Sequence, residues 1–194
     1  MFGPHAFDAL LERLSMAAGR DLDVDEDVYR SEGLTGHRNR AIAHLLRASN
    51  VLAEPVESAL DLYFRLCSIR VTAVDLASIA ATLANTGRNP VTGKTVFDML
   101  AVRDTISVMF SCGMYDYSGN WICDVGVAAK SGVGGGIVGA VNRQLGIGAF
   151  SPRLDKKGNS VRGVRALRRM SDELGLHAFE FHNTGSSFFD GLMD

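Results

Sequence analysis

The chain has 194 residues, of which 46% are hydrophobic and 22% charged, and its formal net charge at pH 7 is −2. This composition is typical of a folded globular protein and excludes a mainly disordered chain. The small negative charge gives no reason to expect nucleic acid or an anionic membrane as a partner, and no apolar run approaches the ~20 residues that span a bilayer.

The N-terminus indicates where the protein is located, and the cysteines and histidines indicate whether it binds a metal. Residues 1–5 lack a basic segment followed by an apolar one, so we expect no secretion signal and a cytoplasmic protein. Cys67, Cys112 and Cys123 form no Cys-x-x-Cys pair, which predicts buried, reduced thiols. The five histidines lack the i, i+4 spacing of a zinc helix. We predict neither a metal nor a cofactor.

Helical periodicity dominates the first part of the chain. Thr72 stands at an expected N-cap with Asp75 three residues later, a variant of the capping box. Asparagine, glycine and proline between residues 85 and 93 predict a surface loop that interrupts the helices. The predicted helices cover residues 7–17, 41–52, 56–67, 72–83 and 95–110.

Beyond Gly119 the pattern changes to short β-branched and aromatic runs separated by glycine and asparagine, which predicts an antiparallel meander. Asn159 and Ser160 then precede an amphipathic helix that we expect to pack on the sheet, with its arginines exposed. The predicted strands cover residues 121–127, 135–141 and 145–150, and the helix covers residues 161–174. The order predicts an α+β fold, with a mainly helical part over residues 1–118, strands and a helix over 119–176, and a tail over 177–194.

Residues 111–136 carry the strongest functional signal. They place a tyrosine, a lysine, a hydroxyl and several glycines around one expected strand. Serine-dependent acyl-transfer sites need these groups close together. However, no Ser-x-x-Lys sequence occurs in the 194 residues, so the chain has no evident nucleophile.

Six blocks identify a family when they are read in order. They are residues 31–43, 61–68, 80–85, 112–116, 129–133 and 151–161. Together they closely resemble the glutaminases of the serine β-lactamase-like fold, over residues 7–177. The resemblance implies a β-lactamase/transpeptidase-like α+β fold, with a helical lobe and an incomplete α/β sandwich. It also implies hydrolysis of L-glutamine to L-glutamate and ammonia through an acyl-serine intermediate.

The resemblance assigns three substrate-binding residues in the first half of the chain. Glu32 and Asn39 have the separation of a family pair that holds the amino-acid part of the substrate, and a carboxylate suits the α-ammonium. Tyr63 matches a tyrosine that lines the pocket. Spacing alone favours other interpretations. By spacing, Glu32 would be a carboxylate at the start of a helix, Asn39 a helix cap and Tyr63 an aromatic residue of the core.

The resemblance assigns the remaining site residues to the second half. Tyr115 matches a tyrosine proposed to relay a proton, which needs a neighbouring ammonium to act near neutral pH. Both Tyr115 and Val133 would touch the substrate, and the backbone amide of Val133 would be one of two oxyanion donors; losing one donor costs about 2.7–4 kcal/mol of transition-state stabilisation. Lys130, Ser131 and Gly132 are similar to the Lys-Thr-Gly strand of penicillin-recognising enzymes and form a candidate pocket.

We therefore interpret the chain as a truncated glutaminase catalytic domain whose substrate is L-glutamine, inactive alone for want of a nucleophile. Two alternatives stay open: a non-catalytic remnant that binds glutamine or assembles with another chain, and a penicillin-recognising serine hydrolase. An open sheet edge and exposed apolar side chains would favour association, and we expect a homo-oligomer.

Overall fold

The computed structural model describes residues 5–180, which divide into two compact units. Unit 1 takes in residues 5–15 and 20–71, and unit 2 takes in residues 16–19 and 72–180. The tail beyond Glu180, including Thr184 to Ser187, lies outside the described residues. Within residues 5–180, no helix combines the length and the apolar character needed to cross a membrane.

The described residues form eight α-helices, one 3-10 turn and three strands. The helices are α1 (Ala6–Ala18), α2 (Glu26–Thr35), α3 (His37–Ala48), α4 (Val56–Cys67), α5 (Ala73–Ala84), α6 (Met99–Cys112), α7 (Ser118–Asp124) and α8 (Val161–Leu174). The 3-10 turn is Tyr115–Tyr117, and the strands are β1 (Ala128–Ser131), β2 (Gly136–Val141) and β3 (Leu145–Phe150).

Unit 1 is built on the junction of α2 and α3. Gly36 joins the two helices, and a Cβ atom there would collide with the Phe64 ring, whose Cε1 atom would be 2.9 Å away, and would lie 2.7 Å from the Glu32 carbonyl oxygen. Only glycine therefore fits without movement. Phe64, Leu60 and Ala43 form the buried core of this unit, so α4 packs directly against the junction.

Helix α2 is the element of unit 1 that sequence reasoning missed. Its sequence is polar and contains a glycine, so its apolar periodicity is weak. The start is nevertheless marked by Asp25, whose carboxylate accepts hydrogen bonds from the amides of Asp27 and Val28. Helix α3 begins at His37, four residues before the predicted start, whereas α4 has the predicted bounds.

Unit 2 holds an antiparallel sheet of order β1-β2-β3. The prediction of a meander is confirmed, and β3 has the predicted bounds. The first predicted strand, residues 121–127, is wrong, because most of it lies in helix α7. Trp121 is fully buried and its indole N–H donates to the Val127 carbonyl at 2.7 Å, so tertiary burial overrides the β preference of this run.

Helix α5 lies across β3, and small residues allow the close approach. A Cβ atom at Gly148 would lie 2.6 Å from the Ala77 amide, and one at Gly146 would lie 2.6 Å from the Ala80 carbonyl carbon. The predicted capping box is present: Thr72 and Asp75 exchange side-chain and backbone hydrogen bonds at the start of α5. The sequence-based division placed α5 and α6 in a helical lobe, but in the structure they pack with the sheet in unit 2.

Helix α8 packs on the sheet, as predicted, and lies on the face opposite α5. Its Leu167 joins Trp121, Ile137 and Ile147 in one buried cluster. The arginines of α8 are exposed, which also confirms the prediction; they are Arg162, Arg165, Arg168 and Arg169. The prediction of buried cysteines is wrong, because all three thiols are exposed.

The contact between α5 and β3 can be tested with a single methyl group. We expect Gly148→Ala to destabilise the protein by about 2 kcal/mol or more, since the new Cβ would meet helix backbone that cannot move aside. Urea unfolding followed by circular dichroism measures the change. Gly119→Ala is the matched control, because apart from its chain neighbours and its own helix backbone no atom lies within 4 Å of its Cβ position. Equal stability of the two variants would contradict the close packing.

Candidate functional site

A turn between α6 and α7 forms the base of the candidate site in unit 2. Gly113 follows α6 and packs against β1: a Cβ atom there would lie 2.9 Å from the Ala129 carbonyl carbon. The amide of Ser131 donates to the Gly113 carbonyl at 3.0 Å. The turn is therefore attached to the strand by both contact and hydrogen bonding.

Tyr115 has a left-handed backbone conformation, with φ +55°. This conformation is sparsely populated for residues other than glycine and needs support from the surroundings. Ser118 supplies that support: its hydroxyl accepts from the Met114 amide at 3.0 Å and donates to the Tyr115 carbonyl at 2.8 Å. The tyrosine is thus fixed by its own turn.

Tyr115 is 38% exposed, and its ring lies beside two other groups of the predicted site. The Lys130 Nζ atom is 4.5 Å from the ring centroid. A Cβ atom at Gly158 would lie 3.6 Å from the ring and 3.8 Å from the Val133 Cγ1 atom, so both side chains flank this glycine. The structure therefore brings Tyr115, Lys130 and Val133 together.

Val133 lies in the turn between β1 and β2. The amide of Gly132 donates to Gly136, and the amide of Gly135 donates back to Gly132, each at 2.9 Å. Val133 is 67% exposed, and its amide donates to no backbone carbonyl among residues 5–180. An amide in this position can donate to a ligand oxygen, as an oxyanion donor must.

Ser131 and Asn159 differ from their neighbours in burial. Alternation along β1 places Lys130 outward and Ser131 inward, where it is 1% exposed, so its hydroxyl does not reach solvent. Asn159 is 0% exposed and donates to the Met114 carbonyl at 3.3 Å. Ser131 Oγ and Asn159 Oδ1 have no hydrogen-bond partner within the described residues. Sequence reasoning used Asn159 as part of the 151–161 block and as a lead into α8 but gave it no role in the site, and its position beside the Ser160 N-cap was the available signal.

The other predicted site residues lie in unit 1. Glu32 is half-buried in the last turn of α2, and Asn39 is half-buried in the first turn of α3. Glu32 is therefore not a helix-start carboxylate, and Asn39 follows an N-cap, Gly36, that makes no side-chain bond. Tyr63 is 49% exposed on α4 and makes an edge contact with the Phe64 ring. It is not a core residue.

An open pocket of about 600 Å³ lies between α2, α3 and α4. Among its lining residues are Gly33, Arg40 and Phe64. Each of these follows one of the predicted residues Glu32, Asn39 and Tyr63 in the chain. The three predicted residues themselves are not among the residues that line this pocket.

A second tyrosine in the turn, Tyr117, has a raised pKa. Burial, followed by the hydrogen bond that its hydroxyl donates to Asp124 at 2.8 Å, raises the pKa of Tyr117 above its ordinary value. Asp124 also pairs with Arg168 at 3.8 Å. Because the folded pKa is raised, this group's contribution to stability is present below the unfolded pKa and is lost as the pH rises through the folded value.

We expect Asp124→Asn to lower the pKa of Tyr117 towards its ordinary value, since asparagine keeps an acceptor but removes the charge. The pKa should stay above that value, because burial is the larger cause. NMR of ¹³C-labelled tyrosine against pH measures it. Asp172→Asn, at an exposed position on α8, is the control. An unchanged Tyr117 titration in Asp124→Asn would contradict the assignment.

The sequence of this chain is similar to those of known glutaminases. The sequence model named Glutaminase matches residues 3–179. Glutaminase 1 of Bradyrhizobium diazoefficiens is 54% identical over 175 residues, which are 90% of this chain and 28% of that protein.

Solved structures match as well. Mglu in its glutamate form has a TM-score of 0.87 and 44% identity, covering 92% of this chain and 41% of that chain. The Bacillus subtilis glutaminase YbgJ, in covalent complex with 5-oxo-L-norleucine after reaction with 6-diazo-5-oxo-L-norleucine, has a TM-score of 0.82 and 36% identity, covering 88% of this chain and 61% of that chain. The overlap confirms the predicted β-lactamase-like α+β fold. The chain spans less than two thirds of each of these three proteins.

Proposed function

Since the chain belongs to the glutaminase family, we propose that it supplies the substrate-binding part of a glutaminase active site, which hydrolyses L-glutamine to L-glutamate and ammonia. One observation carries the proposal: Tyr115, Lys130 and Val133 lie close together in unit 2. The backbone amide of Val133 donates to no backbone carbonyl in residues 5–180, so it can donate to a substrate. The relatives crystallised with glutamate and with a norleucine derivative support this substrate class.

The proposed roles follow from the chemistry of each group. The Val133 amide donates to the oxygen that becomes negative when the side-chain amide carbon is attacked. Tyr115 moves a proton near the reacting nitrogen. Glu32 accepts hydrogen bonds from the substrate α-ammonium, with Asn39 and Tyr63 as further substrate contacts.

The reaction also needs a nucleophile. A serine oxygen would bond to the amide carbon, ammonia would leave with the transferred proton, and water would then release glutamate from the acyl-enzyme. The 194 residues contain no Ser-x-x-Lys sequence. We therefore propose that this chain binds the amino acid but turns over glutamine only when a Ser-x-x-Lys segment is supplied with it.

Substrate binding is tested by calorimetry on the chain alone. We expect L-glutamate to bind, and Glu32→Gln to weaken binding at least tenfold, because the variant removes the charge that pairs with the α-ammonium. Glu12→Gln, at an exposed site on α1, is the matched control and should bind as the unmodified chain does. Equal affinity of the Glu32 and Glu12 variants would contradict the role of Glu32.

Catalysis is tested by ammonia release after the chain is mixed with the N-terminal segment of a full-length relative. In an active mixture, Val133→Pro should lower kcat by about 10²–10³, because proline has no amide N–H to donate. Val133→Ala keeps the amide and should retain activity. Equal activity of the two variants would remove Val133 from the oxyanion role, and failure of both glutamate binding and turnover would reject the proposed function.

The absent Ser-x-x-Lys sequence favours a second candidate, a non-catalytic chain that binds glutamine. Glutamate binding without ammonia release in any mixture would support it. Lys130-Ser131-Gly132 is the feature that favours the other alternative, a penicillin-recognising serine hydrolase. Hydrolysis of nitrocefin in a parallel assay would favour β-lactam hydrolysis over glutamine hydrolysis. The cytoplasmic location stays a prediction.

Self-association is part of the proposal. Helix α3 exposes Ile42, Leu45 and Leu46, and Phe150 is exposed at the end of β3. Each of these exposed apolar groups, taken in its own unit, favours contact with another chain. We expect the chain to bind more of a hydrophobic dye than a full-length relative and to sediment as more than a monomer. A monomer with a sharply cooperative unfolding transition would contradict this prediction.

A further inference from the structure

Unit 2 contains two pairs in which a lysine ammonium lies over a tyrosine ring. Lys130 lies over Tyr115, with 4.5 Å between Nζ and the ring centroid. Lys157 lies over Tyr117, with a separation of 5.1 Å. The lysines come from different elements, β1 and the loop before α8, so each pair can be perturbed separately.

The Lys130 pair is fixed from both sides. On the lysine side, the ammonium donates a hydrogen bond to the Ser131 carbonyl, which holds it close to its own strand. On the tyrosine side, Ser118 fixes the backbone and Gly158 lies against the ring. A cation held over an aromatic face is attracted to the ring, and it is attracted more strongly when the phenol becomes a phenolate.

We propose that Lys130 is a positioning residue for Tyr115: its ammonium orients the phenol and stabilises the phenolate, so that part of the proton-transfer apparatus is present in this chain without a Ser-x-x-Lys lysine. The role of the phenolate in catalysis rests on the proposed function. The contact and its effect on ionisation do not, because both concern residues of this chain alone.

Other charged groups lie near the phenol and must be separated from Lys130. Asp116 follows Tyr115 in the turn, and Asp155, Lys156 and Lys157 lie in the loop that packs against the ring at Gly158. Lys157 also donates to the Asp116 carbonyl at 3.4 Å. A variant at Lys157 therefore reports the general effect of removing a nearby positive charge.

The test is the titration of ¹³C-labelled Tyr115 in the full chain, over the pH range in which circular dichroism is unchanged. We expect Lys130→Met to raise the midpoint by about half a pH unit, since methionine keeps the length of the side chain but removes the charge. Lys130→Arg should restore the original midpoint. Lys157→Met should move Tyr117 more than Tyr115. An unchanged midpoint in Lys130→Met, or an equal rise in Lys130→Arg, would overturn the proposal.

A second measurement at pH 8 covers the case in which the chain unfolds before Tyr115 titrates. Tetranitromethane reacts with the phenolate, so the initial rate of nitration at Tyr115, followed by peptide mass spectrometry, should fall about threefold in Lys130→Met. A lysine that merely shields the ring would give a faster rate in the variant, and that result or an unchanged rate would overturn the proposal. Because neither readout needs turnover, both stay informative if the glutaminase assay fails.

Discussion

The hydrogen bond from the Ser131 amide to the Gly113 carbonyl is the constraint on which the candidate site in unit 2 depends. It joins the end of α6 to β1, and the absence of a side chain at Gly113 lets the two backbones meet. Tyr115 follows this joint by two residues, and Lys130 precedes Ser131. Their proximity is thus a consequence of backbone pairing, and side-chain attraction acts only on groups already placed together.

Glycines also allow close backbone approach where helix α5 meets the sheet. Gly146 and Gly148 on β3 face alanines of α5, and the helix backbone comes close to the strand. On the opposite face, Leu167 of α8 and Trp121 of α7 fill the wider space with large side chains. The sheet is therefore held between a close, small-residue interface and a bulky apolar one. This arrangement fixes β1 and its turn relative to the rest of unit 2.

Local signals allowed much of this fold to be predicted. Helix α4, strand β3 and the Thr72 capping box depend on periodicity and caps that a short window of sequence contains. Helix α7 could not be predicted in this way, because the burial of Trp121 depends on contacts with distant elements. The family resemblance placed Tyr115, Lys130 and Val133 in one site, but the inward orientation of Ser131 and the burial of Asn159 became visible only once the turn and the strand were seen together.

The left-handed backbone at Tyr115 carries a conformational cost for an aromatic residue. Glycine or asparagine adopts that conformation at lower conformational cost, so stability alone would favour either of them over an aromatic residue. The hydrogen bonds of Ser118 to this turn offset part of that cost. Main-chain comfort and side-chain identity are therefore separable at residue 115: glycine there would relax the backbone and remove the phenol in one step.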